Sequence, residues 1–308
     1  MNIVFALELP TSSAIEQAAQ WLANNSKSNG FMLVDSALLD ISMLDRIIGR
    51  SGLGAESAYA NSPISGFSEY APRLFELNGK EEAAIKMMRS LLSERSGVAA
   101  LSLITARYGQ TMRQIQEICS FLARVAVNDN SRPLHMRMAD TRVINNLFEV
   151  LSPSQMDVVA AKIHQWGWFG RDGQWQSRTL QGSGKNSENI SLQAPMRLTG
   201  SQFRELQRLS EADRFFAIID KRFPELFPDK NFAEFHAKLQ GLLDAANRYQ
   251  VHHPDDRLQF VVLGLKCGEN FYLHPRLDTT WQAVVRGERL LFQMRHWDDE
   301  LWADLEGG

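Results

Sequence analysis

Arg132-Pro-Leu-His-Met-Arg-Met-Ala-Asp140-Thr-Arg-Val-Ile-Asn-Asn-Leu-Phe-Glu-Val150 is the stretch in which one hydrophobic period gives way to another. From Leu134 to Ala139 the apolar side chains alternate: Leu134, Met136 and Met138 share one side, His135 and Arg137 the other, as a strand requires. Beyond Asp140 the spacing becomes helical, with Val143, Ile144, Leu147, Phe148 and Leu151 on one face. Asp140 stands where an N-cap carboxylate would accept from the unpaired amides of the first turn. The segment therefore predicts a strand that runs directly into a helix. Arg137 falls inside that strand and needs an anionic or carbonyl partner, because an unpaired buried charge costs several kcal/mol. Asp140 is the nearest acid in sequence. The pair has two readings: an ion pair that locks the turn, or a binding pair at the carboxyl end of a strand, where open α/β sheets place their ligands.

Working backwards, extended and helical patterns alternate. A helix with Ile15, Ala18, Ala19 and Leu22 follows Ser12 and Ser13, and a short strand runs from Phe31 to Val34, closed by Asp35. Leu44, Ile47 and Ile48 suggest a short helix before a Gly- and Ser-rich loop over 49–63. A strand over 73–77, a helix over 81–92, an apolar run over 98–104 and a helix carrying Met112, Ile115, Ile118, Leu122 and Val125 lead to Leu134. Strands separated by helices predict βαβ units, and hence a mostly parallel sheet with flanking helices.

Working forwards, Ser152-Pro153-Ser154-Gln155 combines a capping box with proline at the first helical position. Trp166 to Phe169 and Gln174 to Arg178 flank Asp172-Gly173 and predict a hairpin. Residues 179–195, rich in Gly, Ser, Asn and Gln, form the candidate linker. After it the spacing is helical almost throughout. One helix opens on the Thr199/Gln202 capping box and carries Phe203 to Ile219 until Pro224 stops it. Others are lined by Phe232 to Tyr249, by Leu258 to Leu265 and by Leu290 to Leu301. The expected organisation is an α/β lobe over 1–178, a linker over 179–195 and a mainly α-helical lobe over 196–308.

Composition narrows the function classes. The 308 residues carry 33 basic and 36 acidic side chains, a net charge of −3 that gives no basic patch for nucleic acid. Two cysteines, Cys119 and Cys267, rule against a disulfide framework and fit a reducing compartment. The opening residues lack the positive region and uninterrupted apolar core of a signal peptide, and no run reaches membrane-spanning length, so a cytoplasmic location without membrane partners is expected. Gly52-Leu53-Gly54 lacks the third glycine of a dinucleotide loop, and Gly182-Ser183-Gly184-Lys185 lacks the first glycine and the hydroxyl of a phosphate loop. No nucleophile elbow, paired zinc histidines or Cys-x-x-Cys occur, so no catalytic set, metal or cofactor is assigned. His252-His253-Pro254-Asp255-Asp256 gathers acid, base and ligand types and reads either as a capped helix start or as an acid/base or metal site.

The segment Leu134 to Ile144 resembles the Arg-x-x-Asp strand-to-helix motif of the effector chaperones, or adaptors, of bacterial type VI secretion. Other segments agree in order. Phe31-Met-Leu-Val-Asp35-Ser-Ala is similar to that family's first strand, and Glu69-Tyr-Ala-Pro72-Arg-Leu-Phe-Glu-Leu77 to its Ala-Pro-x-Leu segment. Asp172-Gly173 with Trp175 looks like its hairpin, and Tyr249, Asp256, Phe260, Gly264, Gly268 and Phe271 like its C-terminal helices; Ala139 and Thr141 depart from the pattern. The resemblance implies a non-enzymatic carrier whose partners are a toxic effector and the secretion spike protein. It makes Asp35, Arg137 and Asp140 the candidate binding residues. The competing expectation is a small-molecule hydrolase or transferase with an α/β lobe and a helical lid; a phosphate-ligand sensor using a helix N-terminus is a third.

Overall fold

The structure, a computed structural model, describes residues 5–25, 29–60, 62–67, 70–128, 132–182 and 191–307. Two compact units divide after Ser210. The first is built on β1 (Gly30–Val34), β2 (Ala55–Ser57), β3 (Arg73–Glu76), β4 (Leu101–Ala106), β7 (Ile163–Phe169) and β8 (Trp175–Thr179), which form one sheet in the order β2-β3-β1-β4-β7-β8. A second, three-stranded sheet has the order β6-β5-β9, from β5 (Arg124–Val127), β6 (Leu134–His135) and β9 (Met196–Leu198).

The expected mostly parallel sheet is not what forms. Every neighbouring pair in the six-stranded sheet is antiparallel, and among the described strands only β5 and β9 pair in parallel. The reason lies in what helix–strand alternation specifies. It shows that strands are joined by crossovers, but not which strand lies beside which. β3 and β4 do point the same way, joined through α3 (Glu81–Leu91) and α4 (Arg95–Ala100), yet β1 lies between them and opposes both. Likewise β1 and β7 point the same way with β4 interposed.

Helices cover the sheet. Phe31, Leu33, Leu74, Ile104 and Trp166 share a core cluster with Ile115, Ile118 and Leu122 of α5 (Met112–Ala123) and with Ile144, Leu147 and Phe148 of α6 (Thr141–Val150). On the opposite face Trp175 stacks edge-on against Phe169 and against Trp21 of α1 (Ser12–Asn25), with ring centroids 5.2 and 5.5 Å apart. Gly167 is required there, because a Cβ would meet the Trp175 ring. All five residues of β1 are buried, which explains its continuous apolar run: both faces are covered. The Asp172-Gly173 hairpin forms as expected, with Gly173 at φ +72°.

Of the stretch expected to be the linker, 179–195, residues 183–190 lie outside the described residues, and the two units divide after Ser210. Met196–Leu198 pairs with β5, and α8 (Gly200–Leu209), capped by Thr199 and Gln202, belongs to the first unit. The helix expected to continue from Phe203 to Ile219 breaks at Ser210, and α9 (Glu211–Arg222) opens the second unit. That unit comprises α9, α10 (Phe232–Arg248), α11 (Pro254–Lys266), α12 (Asp278–Val285), α13 (Leu290–Gln293) and α14 (Asp299–Gly307), together with Phe5 and Ala6. Its core is dense in aromatic rings: Phe216 meets Phe227, Phe232 and Phe235, while Phe260 meets Phe271, Tyr272 and Trp281. Its helices are fastened by two buried charges. Arg257 donates to Glu211, to Asn247 Oδ1 and to the Val251 carbonyl. Asp256 accepts from the Arg289 guanidinium and from the amides of Leu290 and Leu291.

Candidate functional site

The register of the large sheet brings one end of several strands together. β1 finishes where β3 and β4 begin, with Val34 opposite Arg73 and Leu101. Asp35 follows immediately, and the chain there is held on both sides. Its amide donates to the Ala100 carbonyl at 2.9 Å, its carboxylate accepts from the Ala37 amide at 3.1 Å, and Ser36 Oγ donates to the Ala71 carbonyl at 2.8 Å. Asp35 is thus placed by β1, the last residue of α4 and the segment before β3 before any partner is considered.

Arg137 supplies that partner. Its Nη2 donates to Asp35 Oδ2 at 3.1 Å across 102 residues of chain. The two halves of the pair differ: the Asp35 side chain is 4% exposed and that of Arg137 42%. Burial raises the Asp35 carboxyl above its ordinary range; Arg137 opposes this without cancelling it, and the neighbouring Asp140 adds to the rise.

The sequence pointed to Asp140 as the acid beside Arg137, and the structure separates them. The Asp140 amide donates to the Arg137 carbonyl at 3.1 Å, so residues 137–140 make a turn whose two charged side chains take different partners. The strand expected to reach this turn ends at His135. Asp140 caps α6 as predicted, but its carboxylate is taken by Arg142, whose Nε donates at 2.9 Å and Nη2 at 2.6 Å in a two-pronged pair. Thr141 Oγ1 ties the same turn to the Val98 carbonyl at 3.4 Å.

Two further residues join the cluster, neither singled out by sequence. Tyr59 lies in the Gly- and Ser-rich loop, fully buried, with its hydroxyl 3.2 Å from His135 Nε2 and the two rings edge to face. Burial drives the Tyr59 phenol far above its usual value. Burial lowers the imidazole of His135, Asp35 raises it and Arg137 lowers it again. The only sequence signal was the polar side of the alternation in which His135 and Arg137 both stand; nothing local marks Tyr59, whose role depends on the antiparallel pairing of β2 with β3.

The remaining candidates resolve as framework. His253 is the N-cap of α11, its ring Nδ1 accepting from the Asp255 amide at 3.3 Å, and Asp256 is consumed by Arg289 and two backbone amides. Gly52 sits in the left-handed region at the end of α2 (Ile41–Ser51), a turn rather than a phosphate cradle. Of the Gly182–Lys185 segment, residues 183–185 lie outside the described residues. A cavity of about 480 Å³ is lined by Phe121, Ala194 and Pro195 together with Ser152, Gln155 and Gln202. Its lining groups bind one another: Gln202 Nε2 donates to Gln155 Oε1 at 2.8 Å, and Gln155 Nε2 to the Arg197 carbonyl at 2.5 Å. Among the described residues no group of three or more His, Cys, Asp or Glu side chains is arranged to hold a metal ion, and no helix is long and apolar enough to cross a membrane.

Comparison of the chain with protein-family models, with curated proteins and with solved structures finds no match in any of the three.

Proposed function

We propose that this chain is an adaptor that grips a toxic effector in the cytoplasm of the producing cell and helps load it onto the spike protein of a type VI secretion system, without catalysing a reaction itself. One observation carries the reading. The buried, backbone-anchored Asp35 holds a half-exposed Arg137 at the surface, and the flanking segments leave large apolar side chains in solvent. Leu134 precedes His135 and is 49% exposed. Tyr70 precedes Ala71, whose carbonyl is bound by Ser36, and is 66% exposed; Ile41, six residues after Asp35, is 57% exposed. Exposed aromatic and aliphatic side chains in the segments that carry a half-exposed arginine are residue types from which protein-interface hot spots are made. The order of motifs that resembles the adaptor family supports the same reading, because Asp35, Arg137 and Asp140 all fall at this end of the sheet.

The test is co-expression with the effector polypeptide encoded beside this chain. The expected result is a complex that survives purification, with effector abundance falling when the adaptor is deleted. Failure to co-purify, with effector abundance unchanged by the deletion, would overturn the proposal.

A further inference from the structure

The two edges of the six-stranded sheet are finished differently. At one, the Ala58 amide bonds the Pro72 carbonyl, which turns the Ser57 carbonyl of β2 outwards, and Gln116 Nε2 of α5 donates to it at 3.1 Å. At the other, β8 is bare. The Leu180 amide donates to the His164 carbonyl and the Gly170 amide to the Gln174 carbonyl, both at 2.8 Å. In an antiparallel ladder of that register the even-numbered residues of β8 face β7, while Trp175, Ser177 and Thr179 turn their N–H and C=O groups away from it. Among the described residues these outward backbone groups have no partner.

The side chains of β8 do not screen this row, because they lean back onto the fold. The Trp175 ring lies over Gly167, and the Gln176 amide reaches Gly170. Arg178 donates to Glu149 at 2.7 Å and sits over the Phe148 ring, and Thr179 Oγ1 accepts from Gln165. Ser177, small and exposed, is what remains. The strand carries no proline or lysine, and its pairing with β7 has no bulge. A lone exposed donor is at ease in water, but a row of donors and acceptors at strand spacing is a template for a further strand, which monomeric sheets block with those devices.

We infer that β8 pairs antiparallel with β8 of a second copy of this chain, about a two-fold axis at Ser177, so that the two large sheets become one. The strand is its own complement. Ser177 falls opposite Ser177 and Trp175 opposite Thr179, so each outward N–H meets an outward carbonyl. Gln176 falls opposite Arg178, so no like charges face each other, and the residue at the axis is the smallest in the strand. Both strands are already built and held by β7, so joining them costs less ordering than folding a flexible peptide onto the edge. The contact is isologous and closes at two copies. It uses no residue of the Asp35 end and holds or fails independently of the adaptor reading.

Sedimentation of the full chain over a concentration series, with hydrogen exchange at both ends of the series, tests the pairing. The wild type is expected to pass from monomer to dimer as concentration rises, with the amides of Trp175, Ser177 and Thr179 becoming protected. Ser177→Lys sets like charges across the axis and Ser177→Pro removes the outward N–H there. Both should remain monomeric at concentrations where the wild type is mostly dimeric, and thermal melts show that they are folded. Should either variant fail to fold, the exchange pattern of the wild type decides by itself. A wild type that stays monomeric throughout, a dimer whose β8 amides exchange as fast as in the monomer, or a dimer that survives in both folded variants would overturn the inference. Protection of these amides only on addition of the co-expressed effector would give the edge to an extended segment of that protein, and the second copy would be ruled out.

Discussion

Asp35 is a carboxylate whose burial outweighs its partner, and this reverses the usual pH behaviour of an ion pair. Its folded-state carboxyl lies above the ordinary 3.8. An acid that holds its proton more tightly when folded contributes stability that is fully present below its unfolded pKa and is lost as pH rises through its folded one. The wild type compared with Asp35→Asn should therefore lose relative stability as pH climbs through the interval just above 3.8, then run parallel to it towards neutrality. Urea unfolding of both proteins over a pH series measures this, and a wild type that gains on the variant over that interval would show that Arg137 dominates after all. The thiols allow a second check. Burial pushes Cys119 up to about 12, and Cys267 is raised as well but is only partly buried. A thiol reagent should label Cys267 slowly in the native protein and reach Cys119 only after unfolding.

At the scale of elements, the glycines show where packing is closed to a methyl group. A Cβ on Gly97, in α4, would run into the backbone carbonyl of Leu91, which has no rotamer to retreat into. A Cβ on Gly264, in α11, would meet Cδ2, Cδ1 and Cγ of Leu242, a buried side chain that would have to repack. Replacing a helical glycine by alanine gains about 1 kcal/mol of propensity, so the two sites should separate. Gly97→Ala should be destabilised by roughly 2 kcal/mol or more, as in overpacked cores, whereas Gly264→Ala should cost less, because the Leu242 side chain can repack where a backbone carbonyl cannot; thermal melts compare them. Sequence legibility divides along a similar line. Local chemistry was readable: the capping boxes at Ser152 and Thr199, the Asp140 cap and the Asp172-Gly173 turn all form as their residues dictate. Long-range placement was not. Alternating helices and strands left open that β1 would insert between β3 and β4 and oppose both. The nearest acid to Arg137 was the wrong one, because nothing near residue 137 encodes a partner at residue 35. The polar stretch over 179–195 looked like a linker because backbone anchoring is invisible in composition: Arg124, buried in β5, donates to the carbonyls of Leu192 and Gln193.

For the molecule as a whole, the buried charges of the second unit are framework, whereas the Asp35–Arg137 pair of the first unit keeps its guanidinium half exposed. Arg257 and Asp256 in the second unit have all their neighbours within hydrogen-bond reach and fasten helices. Arg257→Ala should leave the partly buried Glu211 with only the more distant Arg214, at 4.0 Å, and strip the Asn247 and Val251 oxygens of their donor, lowering the stability of that unit by about 3 kcal/mol while leaving the Asp35 end of the first unit intact. Effector binding measured beside a melt would separate the two effects. The claim on which everything else depends is that a partner polypeptide covers the end of the sheet around Asp35 and Arg137. Hydrogen exchange of the chain alone and in complex with its effector tests it most directly. The account predicts partner-dependent protection in residues 36–41, at Tyr70 and Ala71 and in residues 134–142; protection confined to residues 211–307, or absent throughout, would contradict it.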